Sequence, residues 1–318
     1  MSDVLFLTEA GQGIGFGHLT RMSALKAFMT AQGISAQMIV HCLGPMENLP
    51  PGLNVLDWIN GPADTFSDKK WRALIVDSYL APARRYAELT SLGTPVLALD
   101  DYQRLQYPVD FVVNPGLGFK VEAYSSQRAV CRGGSDYIIF REAFWNNTWN
   151  GLPTQRGSIL ATTGGSDPHD LLRKIAILYE EYSALTIIAP DQAVHARIRE
   201  AYPGMRILGL LNENQMRDEL GRAEIVISGC GQSLNELALL GKNTVGLLTG
   251  KDQEPNAAYF TQSGFLLDVI RWDDPDFIQN LRMAIKRQQQ LVHTGRPVPA
   301  LQISPRTALE NYLRLLNL

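Results

Sequence analysis

One pattern recurs along this chain and fixes its fold class. A short apolar run is followed by a turn rich in glycine or aspartate, then by a segment with apolar residues at helical spacing. Val4-Leu5-Phe6-Leu7-Thr8 is the first run; Gly11, Gly13, Gly15 and Gly17 follow it, and Leu19, Met22, Leu25 and Phe28/Met29 give the helical period before Gly33 stops it. Gln37 to Val40, Ala73 to Asp77, Pro95 to Leu99, Phe111 to Val113 and Tyr137 to Phe140 read as further strands, with a proline-initiated helix over Pro82 to Leu92. Trp145 to Thr154 is polar and Asn-rich, contains Gly151 and Pro153, and reads as a linker. The pattern then restarts, with strands expected at Ser158–Thr162, Leu185–Ala189, Arg206–Leu208, Glu224–Ile227 and Asn243–Leu248 and a helix over Leu171–Tyr182. Such alternation implies parallel sheets joined by right-handed crossovers. The expected fold is α/β, with two Rossmann-like parallel-sheet lobes facing a cleft, 1–148 and 155–300. A helix in 301–318 is expected to pack back on the first lobe. At 318 residues the chain is long enough for each lobe to bury its own core.

Several function classes are excluded by composition and motif. Lys plus Arg number 29 against 32 Asp plus Glu, a formal charge of −3. Nucleic-acid backbone binding needs a basic surface stripe, so no nucleic-acid partner is expected. No apolar stretch approaches the roughly 20 residues a spanning helix requires, so no membrane insertion is expected. The run Val4–Leu7, followed by Glu9, is too short and too polar for a signal peptide. Cys42, Cys131 and Cys230 are odd in number and widely spaced, which fits a reducing, cytoplasmic setting and small buried apolar groups rather than nucleophiles. His41, His169, His195 and His293 have no metal-ligand spacing, and no metal is expected. The glycines of the first loop alternate, so they miss the G-x-G-x-x-G fingerprint, and no acidic residue closes the second strand; a nicotinamide cofactor is disfavoured. A P-loop is absent too. No cofactor is expected.

What the first loop offers is room beside a helix N-terminus, with free N–H groups and about half a positive charge for an anion or a substrate. His18, in Gly15-Phe16-Gly17-His18, either packs at that helix start or acts as a general base. The glycines leave space for a ligand beside the ring and favour the second reading, with the helix N-terminus expected to lower the imidazole pKa. Arg21, one turn on, would reach a phosphate or sit in solvent. In an open parallel sheet the ligand crevice lies beyond the carboxyl ends of the strands. Asp77 and Tyr79, Asp100 and Asp101, and Asn114 stand at three such ends, where each could instead cap a helix or fill an edge of the core. The second lobe has three phosphate-friendly helix starts: Thr163-Gly164-Gly165-Ser166-Asp167; Ser228-Gly229-Cys230-Gly231-Gln232-Ser233 with Asn235 and Glu236; and Lys251 to Asn256. A carboxylate at Glu236 would accept both hydroxyls of a ribose, or merely complement the helix dipole.

At Gly15-Phe16-Gly17-His18-Leu19-Thr20-Arg21 the chain resembles the nucleotide-sugar hydrolases of pseudaminic acid biosynthesis, which act on a UDP-linked diacetamido-trideoxy-altrose, and their spore-coat polysaccharide relatives. The resemblance extends to Ile75-Val76-Asp77-Ser78-Tyr79, Leu99-Asp100-Asp101, Val113-Asn114, Arg141 to Phe144, Thr163 to Asp167, Ser228 to Glu236 and Asp252-Gln253-Glu254. It implies a GT-B fold and hydrolysis of the glycosidic C–O bond of a UDP-sugar, in nonulosonic acid or surface polysaccharide biosynthesis. His18 would be the catalytic histidine and Tyr79 an active-site tyrosine. Gly15, Phe16, Gly17, Arg21, Asp77, Asp101 and Asn114 would line the sugar. Gly164, Gly165, Ser228, Gly229, Gly231, Gln232, Ser233, Glu236, Gln253 and Glu254 would hold the nucleotide. The chain departs from the family at Ser78, where a histidine is common, and at Thr163 and Ser166, where methionine and threonine are. A GT-B glycosyltransferase and a non-catalytic nucleotide-sugar binding protein are the rival readings.

Overall fold

The structure is a computed structural model that describes residues 4–11, 14–44, 52–67, 69–146, 152–165 and 167–318. The chain divides into two units, Met1–Trp145 with Ile303–Leu318, and Asn146–Gln302.

The first unit runs β1 (Val4–Gly11), α1 (Gly17–Ala31), β2 (Ala36–Leu43), β3 (Asn54–Val55), β4 (Ala73–Asp77), α2 (Ala83–Thr90), β5 (Val96–Leu99), β6 (Phe111–Asn114) and β7 (Val130–Gly133). Its seven strands lie in the order β3-β2-β1-β4-β5-β6-β7, and every pairing is parallel. Strands covered on both faces need no polar side, which is why β1 and β4 read as unbroken apolar runs. Alternate residues serve opposite faces. Leu5, Leu7, Leu74 and Val76 pack with Trp58, Tyr86 and Leu89, whereas Val4, Phe6, Ala73 and Ile75 pack with Met22, Leu25 and Phe28 of α1. The buried Trp58 indole donates to the Thr8 carbonyl at 2.7 Å, so its one polar atom is satisfied.

The second unit repeats the plan with β8 (Ile159–Thr162), α3 (Leu171–Ala176), β9 (Leu185–Ile188), α4 (Gln192–Ala201), β10 (Arg206–Leu208), α5 (Glu213–Arg222), β11 (Ile225–Gly229), α6 (Ser233–Leu239), β12 (Asn243–Leu248), α7 (Glu254–Gln262), β13 (Val269–Arg271) and α8 (Phe277–His293). The sheet order is β10-β9-β8-β11-β12-β13, again parallel throughout. Helix starts are chemically marked: Asp191 accepts from Ala193 and Val194 N–H, and Asn212 with Gln215 forms a capping box. The last helix, α9 (Pro305–Leu316), belongs to the first unit. Its Leu309, Tyr312 and Leu316 join the cluster of Val4, Phe6 and α1, and the Tyr312 hydroxyl donates to the Tyr137 carbonyl at 2.7 Å.

The expected strand at Tyr137–Phe140 is not one. A 3₁₀ turn covers Gly134–Tyr137, and Ile138, Ile139 and Phe140 run on buried but outside the sheet. β6 already has β7 on that side, and Ile139 instead packs in the α1/α9 cluster. An apolar run reports burial, not sheet pairing. The helix expected over Leu171–Tyr182 is α3 followed by a 3₁₀ turn, Ile177–Glu180. Part of the linker reading, residues 147–151, lies outside the described residues, as do Gly13 and Ser166.

Candidate active site

In both sheets the chain steps from the first strand to one side and later returns to the other. The carboxyl ends of that first strand and its later neighbour therefore flank a topological switch point, where open α/β sheets bind ligands. In the first unit the point lies between β1 and β4, with Thr8 in register with Asp77.

The side chains gathered there form one connected network. His18 Nδ1 lies 2.7 Å from Asp77 Oδ1 and Arg21 Nη2 lies 3.3 Å from the same nitrogen. A carboxylate can only accept, so the shorter contact fixes the imidazole proton on Nδ1. Nε2 is then the lone-pair nitrogen. It makes no hydrogen bond among the described residues, and the ring as a whole is 5% exposed. Arg21 donates from Nε and Nη2 to Asp77, both at 2.6 Å, and from Nη1 and Nη2 to Asp101 at 2.7 and 2.9 Å. Tyr79 closes the chain of bonds, its hydroxyl donating to Asp101 Oδ2 at 2.6 Å. Its ring meets His18 edge to face, centroids 4.2 Å apart.

Two sequence expectations are overturned here. Arg21 does not sit in solvent: it is buried, and its guanidinium bridges two carboxylates. The His18 pKa is raised, not lowered. Burial works against the imidazolium, but the charge and hydrogen bond of Asp77, assisted by Asp101, outweigh burial and the opposing Arg21. Burial likewise works against ionised Asp77 and Asp101, yet Arg21 holds both below the usual carboxylate range. Burial and the Asp101 charge push the Tyr79 phenol far up, so it stays protonated.

The remaining first-unit candidates divide. Asp77 is fully buried with both oxygens occupied, so it supports the ring rather than displaying itself to a ligand. Asn114 is a latch: its amide donates to the Asp101 carbonyl and the Tyr124 hydroxyl, and its oxygen accepts from Gly116 N–H. Phe16 is half-buried against Ala10, Leu19 and Val40. Gly15 sits at φ +76°, and Gly17 is exposed, with no described atom within 4 Å of where a Cβ would lie. Sequence reasoning missed Glu9. Fully buried on β1, it accepts from Ser78 Oγ, Tyr79 N–H at 2.6 Å and Leu80 N–H at 3.3 Å, and so fixes the loop that carries Tyr79. Asp100 does the same for the next loop, accepting from Gln103 and Arg104 N–H and from the Tyr107 and Tyr124 hydroxyls. The available signal was position: each lies at or just past the end of a predicted strand.

The second unit's candidates gather at its own switch point, between β8 and β11. There a Cβ on Gly229 would stand 3.1 Å from the Thr163 carbonyl, so the two loops are in close contact. Asn256 donates to the Cys230 and Gly231 carbonyls at 2.9 and 3.2 Å, and Gln253 Oε1 accepts from Thr249 N–H at 3.2 Å. Gly231 lies within reach of Gln253, 3.8 Å from its Nε2 to a built Cβ. Gly164 has φ +89°, Gly165 is exposed, and Gln232 and Ser233 are half-buried. Ser228 is buried and donates to the Gly229 carbonyl; Glu236 is buried rather than displayed. Glu254 is exposed and pairs with Arg271 at 3.6 Å. Burial pushes the Cys230 thiol up to about 12, which removes it as a nucleophile at neutral pH. Among the described residues no group of three or more His, Cys, Asp or Glu side chains could hold a metal ion, and no helix is long and apolar enough to cross a membrane.

No protein-family model matches the chain, and no curated protein does. Solved structures do match its fold along nearly the whole length. MurG of Acinetobacter baumannii superposes with a TM-score of 0.63 at 16% identity, covering 99% of each chain. The Staphylococcus aureus MnaA–UDP structure gives 0.65 at 12%, covering 100% of this chain and 97% of that one. UDP-GlcNAc 2-epimerase from Neisseria meningitidis, bound to UDP-GlcNAc, gives 0.62 at 14%, covering 99% and 100%. The fold is GT-B-like. Identities this low establish the architecture alone.

Proposed function

We propose that the chain is an enzyme acting on a nucleotide sugar, and that it hydrolyses the glycosidic C–O bond of a UDP-linked deoxy or amino sugar. One observation carries the reading: an imidazole held by a buried carboxylate through Nδ1, which leaves Nε2 as the lone-pair nitrogen, at the switch point of a GT-B-like unit. Structural neighbours solved with UDP or with UDP-GlcNAc support the substrate class.

In this reading the loops of the second unit, Thr163–Gly165, Ser228–Ser233 with Glu236, and Gln253–Glu254, take the nucleotide. His18 Nε2 removes a proton from water as the water oxygen bonds to the anomeric carbon. The bond from that carbon to the β-phosphate oxygen breaks, its electron pair leaves with UDP, and the imidazolium later gives its proton to solvent. Positioned general-base catalysis of this kind contributes about 10²–10⁴ in rate. Loop N–H groups aimed at the departing diphosphate contribute where charge develops. Arg21 gives four of its five N–H groups to Asp77 and Asp101. Asp77 holds the tautomer and shares the charge of the imidazolium, and Tyr79 stands beside the ring.

The test is to incubate the protein with a panel of UDP- and CMP-sugars in ¹⁸O water, with and without sugar acceptors. Release of UDP with the label in the free sugar is the expected result. Label in UDP means P–O cleavage and refutes the proposal; turnover only with an acceptor assigns a glycosyltransferase. An interconverted UDP-sugar assigns an epimerase, and binding without turnover a sensor.

A further inference from the structure

His169 has no metal-ligand spacing, yet the structure puts it at a junction of the second unit. It stands in the loop between β8 and α3. Its Nε2 lies 3.0 Å from the carbonyl oxygen of Thr249, just past β12. A carbonyl can only accept, so Nε2 carries the proton and donates it. The ring also lies flat on Trp272, just past β13, with centroids 3.7 Å apart and planes 6° from parallel. Sheet order sets the span of these contacts. β11 lies between β8 and β12, so Thr249 stands two strand spacings from β8, about 10 Å, and Trp272 three, about 14 Å. The β8–α3 loop and its histidine thus bridge the carboxyl end of β11, where the loop 228–233 leaves the sheet.

Both ends of the bridge are anchored. Asp167 accepts from Leu171 and Leu172 N–H at 2.8 and 2.9 Å, which fixes the loop to α3. Trp272 packs against the buried core of the unit, and its backbone N–H donates to the Leu248 carbonyl at 3.1 Å. Other contacts complete a ring. Thr249 N–H donates to Gln253 Oε1, and Gln253 stands beside Gly231. Asn256 donates to the Cys230 and Gly231 carbonyls, while Gly229 sits against the Thr163 carbonyl. The β11–α6 loop is therefore held from both sides, and the bond from His169 to the Thr249 carbonyl joins the two holders.

Resting on the nucleotide-sugar reading, we propose that His169 is a positioning residue for the nucleotide. It locks residues 249–256 to the β8–α3 loop, so that the three loops of the second unit keep their spacing before a nucleotide arrives. A loop ordered in advance spares the ligand the cost of ordering it, and affinity rises accordingly. The hydrogen bond supplies the lock, and the stack on Trp272 sets the orientation of the ring.

Hydrogen exchange of the ligand-free chain and calorimetric titration with UDP and with CMP test this in three variants, His169→Ala, His169→Gln and His169→Phe. Gln keeps an N–H donor and loses the stack; Phe keeps the stack and loses the donor. Peptides spanning residues 249–256 should exchange ~10-fold faster in the Ala and Phe variants, with those of β8 and β11 unchanged. Affinity for the nucleotide that the wild type binds should fall ~10-fold in the same two variants and return in the Gln variant. On a UDP-sugar that is turned over, KM should rise and kcat stay unchanged, because His18 belongs to the first unit. A merely structural role would lower the unfolding midpoint and leave affinity where it was. Unchanged exchange, unchanged affinity, or recovery by Phe and not by Gln would each overturn the proposal. A wild type that binds neither UDP nor CMP overturns the nucleotide reading and this inference together. A wild type that binds one of them, with His169→Ala binding it equally well, overturns this inference alone.

Discussion

Arg21 is the residue whose environment most changes the interpretation of the site. A guanidinium in solvent costs little to remove, but one that bridges the fully buried Asp77 and the part-buried Asp101 leaves both uncompensated, a loss of about 3–5 kcal/mol. Arg21→Ala should therefore lower stability by that amount in urea titrations, and an unchanged midpoint would restore the solvent-facing reading. His18→Ala should leave the fold intact and lower kcat by about 10²–10⁴ on whichever UDP-sugar is turned over. The pH profile carries a sign. The base must be neutral, and Asp77 and Asp101 raise its pKa above the ordinary value of 6.5, so kcat/KM should fall on the acid side with an inflection above that value. Asp101→Asn removes one of the charges favouring the imidazolium, and its acid limb should move to lower pH. Stability follows the opposite groups. Asp77 and Asp101, held low, contribute stability that is present above their ordinary value of 3.8 and lost as pH falls through their lowered ones. His18, held high, contributes stability that is complete below 6.5 and lost as pH rises through its raised value. The melting temperature of Asp101→Asn should accordingly be less sensitive to acid than that of the wild type.

The loop from β1 to α1 holds glycines for different reasons, which a pair of substitutions separates. Gly11 sits at φ +124°, and a Cβ there would lie 2.0 Å from the Leu43 carbonyl of the neighbouring strand. Gly11→Ala should cost about 3 kcal/mol, from strain and a clash with immovable backbone. At Gly17 a methyl group meets no described atom, and an alanine in the first turn of α1 should hold or raise stability by up to about 1 kcal/mol. It should nonetheless weaken turnover, because the added methyl stands beside His18; unchanged kinetics would move the ligand away from that loop. These elements also show what was legible in the sequence. β1, β4, β5 and β12 could be read because strands buried on both faces need continuous apolar runs; the glycine-flanked helix start brought His18 forward, and the strand-end rule Asp77, Tyr79 and Asp101. The rest was hidden for physical reasons. β3, β7 and β13 are two to four residues long and partly polar, so they carry no period. Glu9 stands inside a strand, where a charged residue looks like the end of the element rather than its functional part. That Arg21 would find its partners 56 and 80 residues away is a property of sheet register, which no local spacing encodes.

The first unit is completed by sequence from the far end of the chain, and this makes a prediction about the molecule as a whole. Leu309, Tyr312 and Leu316 are 0, 0 and 6% exposed, and they cover the face that Val4, Phe6 and α1 present. Burying three side chains of this size stabilises a fold by about 5–9 kcal/mol, comparable with the whole stability of a typical domain, about 5–15 kcal/mol. A chain ended at Gln302 should therefore lose the first unit's structure. Among the described residues, the buried cluster that joins β8, β9, β11 and β12 to α3 and α8 draws on nothing beyond Ile285, so it has no such dependence. Hydrogen exchange read by mass spectrometry separates the two: peptides of β1 and β4 should lose protection in the truncated chain while those of β8 and β11 keep it. Equal loss in both would mean that the units do not fold independently, and equal retention that α9 is an ornament. His18 stands on the helix that α9 buttresses, so the same truncation should abolish turnover although, among the described residues, no α9 side chain hydrogen-bonds to His18, Asp77 or Tyr79. Tyr312→Phe, which removes only the bond to the Tyr137 carbonyl, should cost about 1 kcal/mol and leave kcat unchanged, separating support of the unit from support of the reaction.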